Sequence, residues 1–515
     1  MWRNVTVSYL FKIIGLGLLD ALALAVCIMF ILDSNFIFSG SVAIGTLLLN
    51  WLAFSPRSYP LRYLVPGLFF LVGMVVYPMG YTTYISLTNY STGHIITKQH
   101  AIEQFTKREY LPLQPRHFVF TPFLSEQGKL TAVLLEGERE ELVVFPDGRW
   151  ELVESHELVD EDDDGTIDRL EGWVRMGRRE LVAHLDKLQT LRVPFEDGWL
   201  RMATFTEFHL FLPCYRYDPV QDILIDQQTS KVYQPVKGQF TAEDGEVLYP
   251  GWTEYVGLQN FIRLVTTPSY YRPFFRVFLW TVEWSFFTLL FSFALGLALA
   301  ILLNDPKMRL RKLYRSLLVV SWAMPSFISI LVWRGLFNTE FGSFNQLLRL
   351  WFGVTVPWLV EPFLAKFSLI LMNVWLTFPY MMVVSLGALQ SIPDELYEAA
   401  RVDGASAWQR FWRITLPLLM IPIAPLLIGS FATTFNNFTV IWLLTEGGPV
   451  IRIGEPAGAT DILISYAYKL AFLGARGNEM ALSSAVAVVI FVIIVTISAV
   501  SFRHTRGLEE VYYGL

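Results

Sequence analysis

The segment S-I-P-D-E-L-Y-E-A-A-R-V-D-G-A-S-A-W-Q-R-F-W-R-I-T-L-P, residues 391–417, decides the fold. It joins two apolar stretches, 367–390 and 417–444, each long enough to cross a bilayer, which takes about 20 residues. Ser391 with Asp394 three residues on signals a helix start, and Asp394 and Glu395 suit a first turn, where the helix dipole favours acids. Gly404 can take the left-handed conformation that ends a helix. Ser406 with Gln409 spells a capping box that opens a second helix. Two short helices around a glycine turn therefore project from the membrane. On pattern alone they are either an interfacial amphipathic hairpin or a lever on which a partner acts.

Outward from this hairpin the chain reads as a polytopic α-helical membrane protein. Of its 515 residues, 53% are hydrophobic and 17% charged, against about 25% charged in soluble domains. Eight stretches are candidate spans: 11–32, 36–54, 63–88, 275–303, 314–337, 367–390, 417–444 and 480–502. Ala21-Leu22-Ala23 has the small-residue spacing of a signal-peptidase site, but Asp20 beside it and the apolar run to Leu32 favour an uncleaved helix. Short basic connections orient the spans. Arg57 and Arg62, then Lys307, Arg309, Arg311, Lys312 and Arg315, then Arg401, Arg410 and Arg413, then Arg503 and Arg506 mark every second connection. Both termini and the 391–417 hairpin thereby fall on the cytoplasmic side.

The charge is unevenly distributed. Between Ser91 and Tyr270 acidic residues exceed basic ones by a dozen, whereas the whole chain carries a net charge of −6. An acidic soluble block is thus inserted between the third and fourth spans. Alternating runs such as Thr131–Leu135 and Glu141–Phe145, divided by turn residues, make it mainly β with some helix. The expected domains are the N-terminal spans at 1–88, the extracytoplasmic block at 89–274 and the core spans at 275–515.

Several chemistries lack their residues. No phosphate-binding G-x-x-x-x-G-K-[ST] loop occurs, so ATP hydrolysis falls to another chain. All seven histidines lie outside the expected spans. Cys27 and Cys214 form no disulfide or zinc pattern, and no basic patch suits nucleic acid. Asp160, Asp162, Asp164, Thr166, Asp168 and Glu171 fit the spacing of a calcium loop, with Gly165 at its sharp turn. The alternatives there are a structural Ca²⁺ and a solvated acidic loop. Asp20, inside the first span, is either a buried functional acid or, as favoured here, a side chain that packs against a neighbour or reaches the interface. Pro325 and Pro379, inside the fifth and sixth spans, mark bends.

Two polar faces lie within the membrane. Asn373, Leu376, Thr377 and Tyr380 share one face of the sixth span, and Ser430, Thr433, Thr434 and Asn437 one face of the seventh. Polar side chains at this depth face protein or water. The spacing admits interhelical hydrogen bonding or a solute site, in which hydroxyls, amides and aromatic rings suit a sugar.

Glu398-Ala399-Ala400, Gly404 and the ending Ile414-Thr415-Leu416-Pro417 resemble the "EAA" signature of ABC-importer permeases. Met324–Leu331, Gly335–Asn338, Pro379–Met382 and Phe435–Phe438 are similar to permeases of maltose/maltodextrin-type importers in particular. The resemblance implies the type I permease fold, with Glu398, Ala399, Ala400 and Gly404 coupling the chain to ATPase subunits. It implies a second permease subunit, two ATP-binding subunits and a periplasmic sugar-binding protein as partners, and an inner-membrane location. The two polar faces then line a pocket for maltose, maltodextrin or a related saccharide. The family has glycine, phenylalanine and asparagine where this sequence has Thr377, Thr433 and Thr434, so the pocket loses a stacking ring at 433 and an amide at 434. The competing class is a membrane-anchored receptor or carbohydrate-active enzyme working through the soluble block, where no nucleophile–base set is recognisable.

Overall fold

The computed structural model describes residues 2–32, 35–55, 59–125, 131–137, 141–145, 148–153, 158–159, 167–170, 173–474 and 477–513. The chain divides into two compact units, Met1–Tyr84 and Ile85–Leu515. The first holds α1 (Trp2–Leu32), α2 (Phe36–Phe54) and all but the last two residues of α3, which runs from Tyr59 to Ser86 through a π-turn at Val72–Val76. Asp20 does pack against a neighbour: its Oδ1 accepts from Asn50 Nδ2 at 2.6 Å. The apolar part of α2, Phe38–Phe54, reaches only about 25 Å at 1.5 Å per residue, short of a hydrocarbon core of about 30 Å.

The second unit opens with α4 (Lys98–Thr106) and then two antiparallel sheets, with α5 (Arg178–Ala183) and α6 (Leu185–Thr190) between their strands. Strand Thr131–Glu136 shows why the larger sheet forms. Val133 and Leu135 point into one apolar cluster and Ala132 and Leu134 into another, so alternate side chains fill both faces. Its neighbour His117–Ser125 pairs Phe120 with Leu135 on one edge and Phe118 with Phe208 on the other. The smaller, four-stranded sheet packs Leu224, Tyr233 and Phe240 against Ala101 and Phe105 of α4. Lys98 Nζ sits 2.6 Å from Asp222 Oδ1. That hydrogen bond holds the Asp222 carboxyl below its ordinary range.

The remaining helices are α7 (Gln259–Thr266), α8 (Pro268–Asn304), α9 (Arg311–Ala323), α10 (Ser326–Leu336), α11 (Ser343–Phe352), α12 (Pro362–Gln390), α13 (Asp394–Val402), α14 (Ala407–Phe435), α15 (Phe438–Thr445), α16 (Leu463–Phe472) and α17 (Met480–Tyr513). Among the described residues six helices are long and apolar enough to cross a membrane. They rise to seven if the bent pair α9 and α10 is one span. With the shorter α2, each of the eight expected spans has its counterpart.

Three boundaries differ from expectation. The fifth span is broken: α9 and α10 meet at 91°. Met324 is extended (φ −79°, ψ 139°) because Pro325 crowds the residue before it out of the helical region. Pro379 has no such effect, and α12 runs through it. The hairpin's second helix does not stop before the seventh span. It continues through a π-turn at Phe411–Thr415 as one helix, α14, the wider turn coming just before Pro417, which lacks an N–H. At its far end α14 stops at Phe435 rather than running to 444, and Asn437 starts a new helix.

Candidate solute cavity and coupling hairpin

Three contacts set the register of the core. Lys366 Nζ of α12 lies 4.4 Å from the Trp280 ring centroid of α8. About four turns along, a Cβ on Gly296 would sit 2.7 Å from the Cβ of Met381, so only glycine permits this approach. The sequence offset between the partners barely changes over that distance, so α8 and α12 run parallel. Trp284 Nε1 donates to Thr434 O at 3.1 Å and docks α14 against α8.

Between these helices lies a cavity of about 500 Å³, within the range of small-molecule sites. Leu376, Thr377 and Tyr380 of α12, Ser430, Thr433 and Thr434 of α14, and Asn437 all line it. Asn373 does not. It is 1% exposed, and neither amide atom has a partner. Asn437 reaches the wall from the junction between α14 and α15 rather than from a shared helix face. Its Oδ1 accepts from Val440 N at 3.4 Å and caps α15, which leaves its two N–H donors free of that task. Asparagines at 436 and 437 favour such a break because their side chains offer the backbone a local alternative to the helix.

The wall also includes Ser292 and Leu289 of α8 and Trp322 of α9, which the spacing of the two polar faces did not reveal. Trp322 carried a signal. A tryptophan sits in the middle of an expected span, away from the interfacial belts where this residue collects, three residues before a proline. Its ring centroid is 6.0 Å from that of Tyr380, so the cavity has an aromatic corner although Thr433 supplies no ring.

The hydroxyls are directional. Thr377 Oγ1 donates to Asn373 O at 2.7 Å and Thr433 Oγ1 to Gly429 O at 2.9 Å. Both oxygens keep lone pairs to accept from a solute, while Asn437 can donate. No Asp, Glu, Lys, Arg or His lines the cavity. A charged solute would meet no counter-charge there, at a steep desolvation cost. A neutral polyhydroxyl solute with apolar ring faces matches both kinds of wall.

The hairpin has the expected glycine turn. Ala405 N donates to Ala400 O at 2.8 Å and Gly404 N to Arg401 O at 3.1 Å, the paired bonds of a Schellman ending. Gly404 holds φ +76°, with nothing within 4 Å of a Cβ placed on it; the constraint there is conformational. The capping box forms, with Gln409 N donating to Ser406 Oγ at 3.3 Å and Ser406 N to Gln409 Oε1 at 2.8 Å. Ser391 does not start α13. Its Oγ donates to Ala388 O at 2.8 Å and closes α12, and Pro393 occupies the cap position of α13. Glu398 and Ala399 are exposed and Ala400 half-buried. Val402 is 88% exposed and Trp408 69%. Tyr397 OH meets Thr415 Oγ1 at 3.1 Å, tying α13 to the base of α14. That bond links α13 to the helix that carries Ser430, Thr433 and Thr434.

At the other end of α15, the buried Asp461 carboxylate accepts from Gly458 N, Ser465 Oγ and Lys469 Nζ, each at 2.7 Å. It presses so close to Gly447 that a Cβ there would collide with Oδ1. This clamp holds the 446–461 loop against α16.

Of the calcium candidate, Asp160, Asp162, Asp164, Thr166 and Glu171 lie outside the described residues; Asp168 N donates to Val159 O at 3.0 Å. Both cysteines are free.

The chain is similar to known proteins over most of its length. The family described as binding-protein-dependent transport system inner membrane component matches residues 292–505. A second, the N-terminal of the TM subunit in PBP-dependent ABC transporters, matches 69–144. The maltose/maltodextrin transport system permease protein MalF of Photorhabdus laumondii is 37% identical over 465 residues, 88% of this chain and 88% of that protein. The protein of that name from Vibrio cholerae is 35% identical over 482 residues, 90% of this chain and 89% of its own length. That of Escherichia coli O157:H7 is 35% identical over 506 residues, 95% of this chain and 96% of its own.

Proposed function

The chain belongs to the MalF family of ABC-importer permease subunits, and from that premise we propose that it carries maltose, maltodextrin or a related neutral saccharide through the cavity between α8, α12 and α14. It is a multi-pass inner-membrane protein; relatives are named permeases, and ATP hydrolysis belongs to a separate subunit. The basic connections put both termini and the hairpin in the cytoplasm, and the sheets in the periplasm. There the sheets meet a sugar-binding protein, a second permease completes the pathway, and two ATP-binding subunits engage Glu398, Ala399, Ala400 and Gly404. Closure of the ATPase pair would bias the transporter between two states by displacing α13 and, through Tyr397 and Thr415, α14.

The observation that carries the substrate class is the cavity wall. It combines hydroxyls, one free amide N–H₂ and two aromatic rings with no charged group. The test is ATP-driven uptake by the reconstituted complex, with a matched binding protein for each sugar. Neutral gluco-oligosaccharides are expected to be imported and to stimulate ATP hydrolysis, and oligouronates to do neither. Uptake of an oligouronate, or none of any neutral saccharide, would refute the assignment.

A further inference from the structure

Hydroxyl side chains on the buried stripe of α8 almost all find partners. Thr281 Oγ1 donates to Val277 O at 2.6 Å and accepts from Leu463 N at 3.0 Å. Ser285 Oγ donates to Thr281 O at 2.8 Å and Ser292 Oγ to Leu289 O at 3.2 Å. Thr288, in the middle of this series and 1% exposed, is the exception: its Oγ1 has no partner. In a helix a threonine hydroxyl normally bonds back to a carbonyl one turn earlier, so the missing bond calls for a reason.

The helix register supplies one. Thr288 is eight residues from Trp280, which meets Lys366, and eight from Gly296, which meets Met381. The position midway between Lys366 and Met381 on the parallel α12 is Asn373 or its neighbour Val374. Asn373 is the residue whose amide oxygen and nitrogen are both buried without partners. Trp284, one turn from Thr288, bonds to Thr434 O, and one turn back along the antiparallel α14 lies Ser430, on the cavity wall. Leu289 and Ser292, beside Thr288, line that wall, as do Leu376 and Thr377, beside Asn373. Of the five orphaned side-chain atoms described on α8 and α12, three fall in this one layer; Arg276 Nε lies about three turns away along α8 and Ser385 Oγ about three turns away along α12.

We propose that Thr288 is a further sugar-reading residue: its hydroxyl and the Asn373 amide form a polar layer between α8 and α12, level with Ser430, that takes saccharide hydroxyls as partners when the loaded cavity opens to it. The proposal rests on the cavity being the sugar site. The large majority of buried polar groups in native proteins are paired, and each exception calls for a physical cause; a solute that completes the pair is such a cause. Leucine or valine would fill the same space without an unmet hydroxyl. The layer holds a donor-acceptor hydroxyl and a two-ended amide, matched to a sugar's hydroxyls and unsuited to an apolar or ionic solute. It extends the α8 side of the reading surface beyond Ser292, so the sugar is held from three helices.

The test is Thr288→Val beside Thr288→Ser in the complete complex, with uptake measured at saturating loaded binding protein and thermal midpoint measured without sugar. Valine is expected to keep or raise the midpoint, because it removes an unpaired buried hydroxyl, and to lower uptake about five- to tenfold, the loss for one hydrogen bond. Serine is expected to retain the wild-type rate. Unchanged uptake in Thr288→Val, a lower midpoint, or equal loss in both variants overturns the proposal. Asn437→Ala, run in parallel, separates the two readings. A normal rate there refutes the cavity as the sugar site, whereas loss there with a normal Thr288→Val rate refutes only the added layer.

Discussion

Gly404→Val is expected to abolish saccharide-stimulated ATP hydrolysis in the assembled complex while the chain still inserts and folds. Gly404 holds φ +76°, a region in which an L side chain costs about 1–2 kcal/mol and a β-branched one more. The space beside it is open, so no packing penalty adds to this. The cost falls on the turn alone, and relieving it means breaking the Ala405–Ala400 and Gly404–Arg401 bonds that end α13. The exposed surface of Glu398, Ala399 and Val402 then loses its fixed attitude to α14. Gly404→Asn, which tolerates the left-handed region, is expected to retain most of the coupling. Equal loss in both variants would point to the surface rather than the turn.

Asp461→Ala is expected to be the most damaging single change to the stability of the membrane core. The Asp461 side chain is fully buried and that of Lys469 is 15% exposed. Removing the carboxylate strands a largely buried ammonium and leaves Gly458 N without its acceptor, while Ser465 Oγ is left to donate only to Ile462 O. Breaking such a pair costs about 3–5 kcal/mol. The loss concentrates in the 446–461 loop, where Arg452 is exposed, so limited trypsin digestion should cut after Arg452 much faster in the variant. The detergent-solubilised complex should also melt at lower temperature. Wild-type digestion and melting would show that the clamp contributes little.

Much of this was legible in the sequence where local chemistry decides. The 391–417 hairpin showed its glycine turn and its Ser406–Gln409 box because each is made by residues within five positions of one another. Span positions followed from apolar length, and sheet runs from alternation. Helix ends that depend on competition were harder to read. Ser391 could cap the helix after it or close the one before it, and the carbonyl of Ala388 takes its hydroxyl. Asn437 read as the last rung of a helix face, but paired asparagines end α14 and redirect it. The cavity was legible from α12 and α14, whose polar residues repeat at helical spacing. It was not legible from α9, because Trp322 comes into the wall through the bend at Pro325, whose 91° no spacing rule gives. Thr288 and Asn373 share a layer only through the parallel register of α8 and α12, which depends on contacts between residues some 85 positions apart.

The most direct test of the central claim, that the cavity is where the solute sits, is sugar protection of Thr433→Cys in a background with Cys27 and Cys214 replaced by serine. Thr433 lines the cavity and its side chain is accessible. With the complex trapped in its sugar-loaded state, maltotriose is expected to slow modification of this cysteine by a small thiosulfonate severalfold relative to the trapped complex without sugar. An equal rate with and without the sugar, in a variant that still transports it, would contradict the account.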